Sequence, residues 1–174
     1  MIRDNHETYG TVSRFLHWGM ALLLAWQFLS ATSHALFDDT AIEAFFWPSH
    51  KPIGLILLLL MVVRAVWALA HLRMRPPSVN RLATAGHVLL YLLVLVIPSL
   101  ALLRQYGSGR AWEPLGIPLF PGFEGEKIEW MMAPANLLHG WLGWTLLVLI
   151  VGHIIVAGWH RRRPAQPDVL ERMW

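Results

Sequence analysis

Nine histidines stand in a chain of 174 residues that is 56% hydrophobic and has no cysteine. Imidazole binds transition metals and carries protons, but it is costly to place in a lipid bilayer, so histidines inside apolar stretches indicate a function. Apart from histidines at the ends of such stretches or in the tails, five remain: His17, His50, His87, His139 and His153. The lack of cysteine excludes disulfides, thiolate metal sites, cysteine-ligated iron–sulfur clusters and covalently attached haem.

The spacing of His139 and His153 is the most informative pattern. They are 14 residues apart, which at about 100° per residue places both on one face of a helix. The distance along the helix axis is about 21 Å, at 1.5 Å per residue. One helix therefore presents two imidazoles at two depths, too far apart to share a metal ion.

Four long apolar stretches predict the elements that carry these side chains. A membrane-spanning helix needs about 20 apolar residues, and the stretches place spans at approximately 12–36, 50–72, 82–104 and 136–160. Charged residues make up 14% of the chain, against about 25% in soluble domains. This excludes an ordinary soluble enzyme, a disordered chain and a nucleic-acid binder. The prediction is a single domain over 1–174: an all-α, integral membrane four-helix bundle.

The basic residues predict the orientation of this bundle. Four spans place both termini and the second loop on one side and the other two loops opposite. The side with the termini carries ten basic residues: Arg3, Arg14, Arg64, Arg73, Arg75, Arg81, Arg161, Arg162, Arg163 and Arg172. The opposite side carries four: Lys51, Arg104, Arg110 and Lys127. By the positive-inside rule both termini are cytoplasmic, and the basic excess contacts membrane lipid. Without an organelle transit signature, we expect a multi-pass protein of a bacterial inner membrane.

Each histidine of the last span has a partner at its own depth. The first and last spans are antiparallel, so His17 matches His153, whereas His50 and His139 both stand near the starts of parallel spans. Two stacked histidine pairs suit two haems, each iron bound by two imidazoles. Glycines four residues after His50 and His139 leave room for a porphyrin.

Other interpretations of these histidines exist. A single membrane histidine is typical of an interhelical hydrogen bond. A proton relay usually employs carboxylates too, and the four spans contain none. A zinc site needs three or four ligands around one ion, whereas this arrangement offers two at each depth.

Three further residues are candidates around the cytoplasmic pair. His87 shares its depth, and we expect it to bind a haem propionate or a quinone; the alternative is an axial ligand. Arg64 lies 14 residues after His50 and would pair with a propionate, unless it extends to the interface. His160, seven residues after His153, is a candidate contact for a quinone carbonyl or an interfacial side chain.

Several motifs resemble the bacterial cytochrome b561 family of small di-haem inner-membrane cytochromes. They are SRFLHW at 13–18, HKPIG at 50–54, LMVVR at 60–64, GHVLLYLL at 86–93 and the spacing of His139, His153 and His160. The resemblance implies non-covalent haem b held by His17 with His153 and by His50 with His139.

The resemblance also implies a function. The family passes electrons between the quinone pool, here ubiquinone, and the periplasmic face. Some members resemble a superoxide oxidase that takes electrons from superoxide, which would make the protein a quinone-linked oxidoreductase. Related di-haem subunits instead anchor periplasmic dehydrogenases or c-type cytochromes, so a periplasmic redox protein is the alternative partner.

Overall fold

The computed structural model describes residues 2–162 and 169–173. Their helices are α1 (Thr11–Leu36), α2 (Ala41–Phe46), α3 (His50–Ala70), α4 (Arg81–Gly107) and α5 (Glu129–Arg161). Short 3₁₀ turns occur at Trp47–Ser49, Pro114–Gly116 and Glu171–Met173. Within the described ranges there is no β-strand, only an isolated bridge between Trp112 and Phe120. The prediction of an all-α fold is confirmed.

Three segments of the described chain are long and apolar enough to cross a membrane: Ala41–Ala70, Arg81–Gly107 and Glu129–Arg161. They contain α3, α4 and α5, which have the length and composition of membrane-spanning helices. Helix α1 has 26 residues, which is about 39 Å of helix, but its sequence is less apolar. Its buried residues include Ser13, Ser30 and Ser33, so α1 directs polar groups into the bundle.

Local signals set the helix boundaries. Helix α4 begins after Pro76 and Pro77, and the Asn80 side chain accepts a hydrogen bond from the Ala83 backbone N–H at 2.8 Å, which caps its first turn. Helix α4 then continues through Pro98 to Gly107. Helix α5 begins at Glu129, seven residues before the predicted span.

The long helices pack as an antiparallel bundle in which α4 lies against α5 and α3, and α1 lies against α3. Both ends of the described chain meet at one end of this bundle, where the Tyr9 N–H donates to the Arg172 carbonyl at 3.0 Å. We call this the termini end. The opposite end, where Lys51 Nζ donates to Gln105 Oε1 at 3.2 Å, is the loop end.

The apolar core lies between the two histidine levels. Its buried residues are Met20, Leu57, Met61, Leu93, Val94, Ile97 and Leu146. Leu146 stands midway between His139 and His153 on α5. Large apolar side chains cover the outside instead, as Leu22, Val66 and Val148 illustrate, which is the distribution expected of a surface that faces lipid.

A polar cluster closes the termini end. The buried Asp4 carboxylate accepts hydrogen bonds from the Gly10 N–H at 2.8 Å, the Ser13 hydroxyl at 2.9 Å and Arg75 Nε at 3.0 Å. The Trp67 indole in turn donates to the Ser13 hydroxyl oxygen at 3.0 Å. This cluster joins the N-terminal segment to the loop after α3, one helical turn from His17.

Candidate functional site

The loop-end pair brings together the first residue of α3 and a residue of α5. The ring centres of His50 and His139 are 6.3 Å apart, with 70° between the ring planes. Two imidazoles that bound one metal from opposite sides, at nitrogen distances of about 2.0 Å, would have ring centres about 6.2 Å apart. The separation of these two rings therefore suits ligands on opposite sides of one iron.

Hydrogen bonds define the tautomer of His50. Its Nδ1 lies 2.8 Å from the Ser30 hydroxyl oxygen, and that hydroxyl donates its proton to the Gln27 carbonyl at 2.7 Å. A serine has one hydroxyl proton, so the Ser30 oxygen accepts from His50. His50 then carries its proton on Nδ1, which leaves the Nε2 lone pair free for a metal.

His139 has the same tautomer as His50. Its Nδ1 lies 3.2 Å from the Ile97 carbonyl oxygen. A carbonyl only accepts hydrogen bonds, so Nδ1 carries the proton and the Nε2 lone pair is free. Contacts of this kind, which orient a ring through its second nitrogen, are typical of histidines that bind metals.

Three histidines meet at the termini end. The ring centres of His17 and His153 are 6.4 Å apart at 74°, and those of His87 and His153 are 5.3 Å apart at 73°. The first distance suits two imidazoles on opposite sides of one iron, and the second is about 1 Å too short for that arrangement. The geometry thus favours His17 over His87 as the partner of His153.

Arg64 lies at the predicted depth and contacts a predicted ligand directly. Its Nη2 is 3.1 Å from His17 Nδ1, and its Nε donates to the Tyr91 hydroxyl at 2.9 Å. A guanidinium only donates, so here His17 Nδ1 accepts and Nε2 holds the proton. Binding of iron through His17 Nε2 therefore requires Arg64 to turn away and the proton to move to Nδ1.

Glycines beside the histidines leave open space where a side chain would otherwise stand. A Cβ atom added at Gly19, Gly143 or Gly152 would meet no neighbouring group within 4 Å, and one at Gly54 would meet only Gln27 Nε2, at 3.4 Å. Gly143 follows His139 by one turn, and Gly152 adjoins His153. The donor set and this open space fit haem b, whose iron the imidazole nitrogens would hold.

Two further histidines, His160 and His34, lie near the two pairs. His160 has a buried Nδ1 without a hydrogen-bond partner among residues 2–162 and 169–173. At the loop end, the Trp47 ring stacks on His34 at 3.9 Å between ring centres and lies 4.8 Å from the His50 ring. His34 Nδ1 and Glu43 Oε1 are 2.6 Å apart, so these surface groups satisfy one another.

Two residues of the site were missed from the sequence. Tyr91 stands four residues after His87 on α4, a spacing that places both on one face and that could have indicated its role. Ser30 gave no comparable signal, because its contact with His50 depends on how α1 packs against α3.

A helical membrane bundle with paired imidazoles is characteristic of a b-type cytochrome. A family model described as prokaryotic cytochrome b561 matches residues 8–174, and the chain belongs to this family. It is also 29% identical to cytochrome b561 homolog 2 of Escherichia coli (strain K12) over 179 residues, which covers 96% of this chain and 91% of that protein. Family membership confirms the predicted family, haem b binding and a role in membrane electron transfer.

Proposed function

We propose that the protein is a di-haem cytochrome b that passes electrons between the periplasmic face of a bacterial inner membrane and ubiquinone. The observation that carries this proposal is the presence of two histidine pairs, 6.3 and 6.4 Å between ring centres, at opposite ends of one bundle. The proposal includes a single domain with four spans, α1 being the first, and cytoplasmic termini. The basic residues on the termini side support this orientation.

In this proposal His17 and His153 hold one haem and His50 and His139 hold the other. Haem iron supplies reversible one-electron transfer, and two imidazoles leave no coordination position for oxygen. The chain's own residues bind and orient the cofactors. Arg64 and His87, at the level of the first pair, are placed to bind a propionate once Arg64 leaves the His17 ring.

The ubiquinone site is proposed at the termini end. The buried Nδ1 of His160 lacks a partner in the described part of the chain, and a quinone carbonyl or a quinol hydroxyl is a group that this nitrogen binds. Reduction of one ubiquinone to ubiquinol takes up two electrons and two protons. Protons from the cytoplasm would reach this end without crossing the membrane.

Superoxide is the proposed donor at the loop end. Each superoxide ion gives up one electron and leaves as dioxygen, so two ions reduce one ubiquinone. Arg104, Arg110 and Lys127 are exposed at this end and attract a small anion. An external donor of one electron suits a haem whose iron is fully ligated, because the electron reaches it without binding to the metal.

A second function is supported by the acidity of the same end. Glu113, Glu124, Glu126 and Glu129 are all exposed, and a cluster of carboxylates repels superoxide but attracts a basic protein surface. The protein would then be a haem-bearing membrane anchor for a periplasmic dehydrogenase or c-type cytochrome. Co-purification of such a redox protein from mildly solubilised membranes would support this function.

The deciding experiment mixes the purified protein with superoxide and a short-chain ubiquinone while the haem absorption bands are followed. We expect rapid reduction of the haems by superoxide, followed by reoxidation by ubiquinone. The variant His160→Leu tests the ubiquinone site: superoxide should reduce its haems at the normal rate, and ubiquinone should reoxidise them more slowly. If superoxide leaves the haems oxidised and a periplasmic redox protein reduces them, the result would support the anchor function instead.

A further inference from the structure

The two histidine pairs differ in what contacts their second ring nitrogens. At the loop end, both Nδ1 atoms face neutral acceptors, the Ser30 hydroxyl oxygen at 2.8 Å and the Ile97 carbonyl at 3.2 Å. At the termini end, His17 Nδ1 faces the Arg64 guanidinium at 3.1 Å. At the loop end both histidines thus contact hydrogen-bond acceptors, whereas at the termini end His17 contacts a cation.

The acceptors at the loop end make their histidines stronger electron donors. An imidazole that donates its Nδ1–H becomes more basic at the nitrogen that binds the metal, which favours the more positive, oxidised iron. The Ser30 side of this arrangement is well fixed, because the residue is 0% exposed. Its own proton is held by the Gln27 carbonyl at 2.7 Å.

The cation at the termini end acts in the opposite direction. A positive charge near a haem stabilises the reduced state, which carries one positive charge less. The Arg64 guanidinium is half-buried, and Tyr91 holds its Nε at 2.9 Å, so its charge stays at this level even after it leaves the His17 ring. The cations near the loop-end pair, Lys51 and Arg104, are exposed and therefore screened by solvent.

We propose that Ser30 and Arg64 are positioning residues that order the two sites, with the lower potential at the His50–His139 site and the higher potential at the His17–His153 site. This inference rests on the proposed function, since it requires both haems. It assigns a direction to electron transfer, from the loop end to the termini end. Neither residue is an axial ligand, and each acts through its charge or its hydrogen bond.

The test is an equilibrium measurement of both haem potentials in purified variants. Ser30→Ala should raise the lower potential, whereas Ser30→Thr, which keeps the hydroxyl, should restore it. Arg64→Gln should lower the higher potential, and Arg64→Lys should restore much of it. The variant His139→Leu should keep only the haem at the termini end, so its single potential shows which of the two wild-type potentials belongs to that end.

Matched controls are available for both residues. Ser33 is another buried serine of α1, and its hydroxyl donates to the Ser30 carbonyl at 2.8 Å, so Ser33→Ala should leave both potentials unchanged. Arg104→Gln removes an exposed cation at the loop end. It should shift the potential of the His50–His139 site less than Arg64→Gln shifts the potential of the His17–His153 site.

The outcomes separate this inference from the proposed function. Opposite shifts in two different haems would support it. Two haems whose potentials do not respond to these variants, or whose higher potential belongs to the loop end, would overturn the inference and leave the di-haem function standing. A purified wild-type protein with fewer than two haems would overturn the proposed function itself.

Discussion

Replacement of His139 by leucine should remove one haem and leave the other in place. The substitution takes away one of the two imidazoles at the loop end, while the His17–His153 pair lies 14 residues further along α5. That spacing is about 21 Å of helix, and the apolar core lies between the two levels. The effect should therefore be confined to one site.

The magnitude follows from the contacts of this ring. Loss of an axial ligand should weaken haem retention at the site by more than the tenfold to hundredfold that loss of an orienting contact costs, so the haem content falls from about two to about one per chain. The fold should survive, because leucine fills a similar volume. The hydrogen bond to the Ile97 carbonyl, at 3.2 Å, contributes only about 1 kcal/mol.

The assay is the haem-to-protein ratio of purified His139→Leu, together with its helical content by circular dichroism. His34→Leu is a matched control, because His34 lies near the same end but stacks on Trp47 outside the pair, and it should retain both haems. If His139→Leu keeps both haems, or loses both while it remains helical, the assignment of independent pairs is wrong.

Three further predictions concern residues at the termini end. Asp4→Ala removes a buried carboxylate that accepts three hydrogen bonds and should lower the free energy of unfolding by roughly 3–5 kcal/mol; thermal melting in detergent checks this, and exposed Glu7→Gln should melt like the wild type. Gly10→Ala places a Cβ atom 2.6 Å from the Arg3 backbone oxygen, so it should also lower the melting temperature, and an unchanged value would contradict this close packing. Burial raises the pKa of the Tyr9 phenol above its ordinary value of 10.0, so the folded state resists ionisation of this group. The contribution of Tyr9 to the free energy of unfolding should be fully present below about pH 10 and be lost above it. The melting temperature should therefore fall less steeply above about pH 10 in Tyr9→Phe than in the wild type.

Much of the fold and the histidine pairing could be predicted from the sequence, because both follow from helical periodicity. The 14-residue spacing on α5 and the matching positions on the other helices identify the two pairs that the structure brings to 6.3 and 6.4 Å. The sequence indicates a membrane span less clearly for α1 than for the other three long helices. Its serines and its glutamine lower its apolar character, and their purpose becomes visible only when Ser30 and Gln27 are seen around His50.

The contacts that tune the site could not be predicted. Spacing placed Arg64 at the level of His17, but it could not show that the guanidinium donates to the ring or that Tyr91 holds it. These interactions connect different helices, so they depend on how the helices rotate against one another. Asp4 likewise resembles a solvated residue of a polar N-terminus until the loop after α3 covers it.

The most direct test of the central claim is the number of b haems per chain in the purified wild-type protein, measured as the pyridine haemochrome against protein concentration. The two histidine pairs predict two haems per chain, both low-spin because each iron is bound by two imidazoles. One haem per chain, or a high-spin iron with an open coordination position, would contradict the assignment of His17 with His153 and His50 with His139.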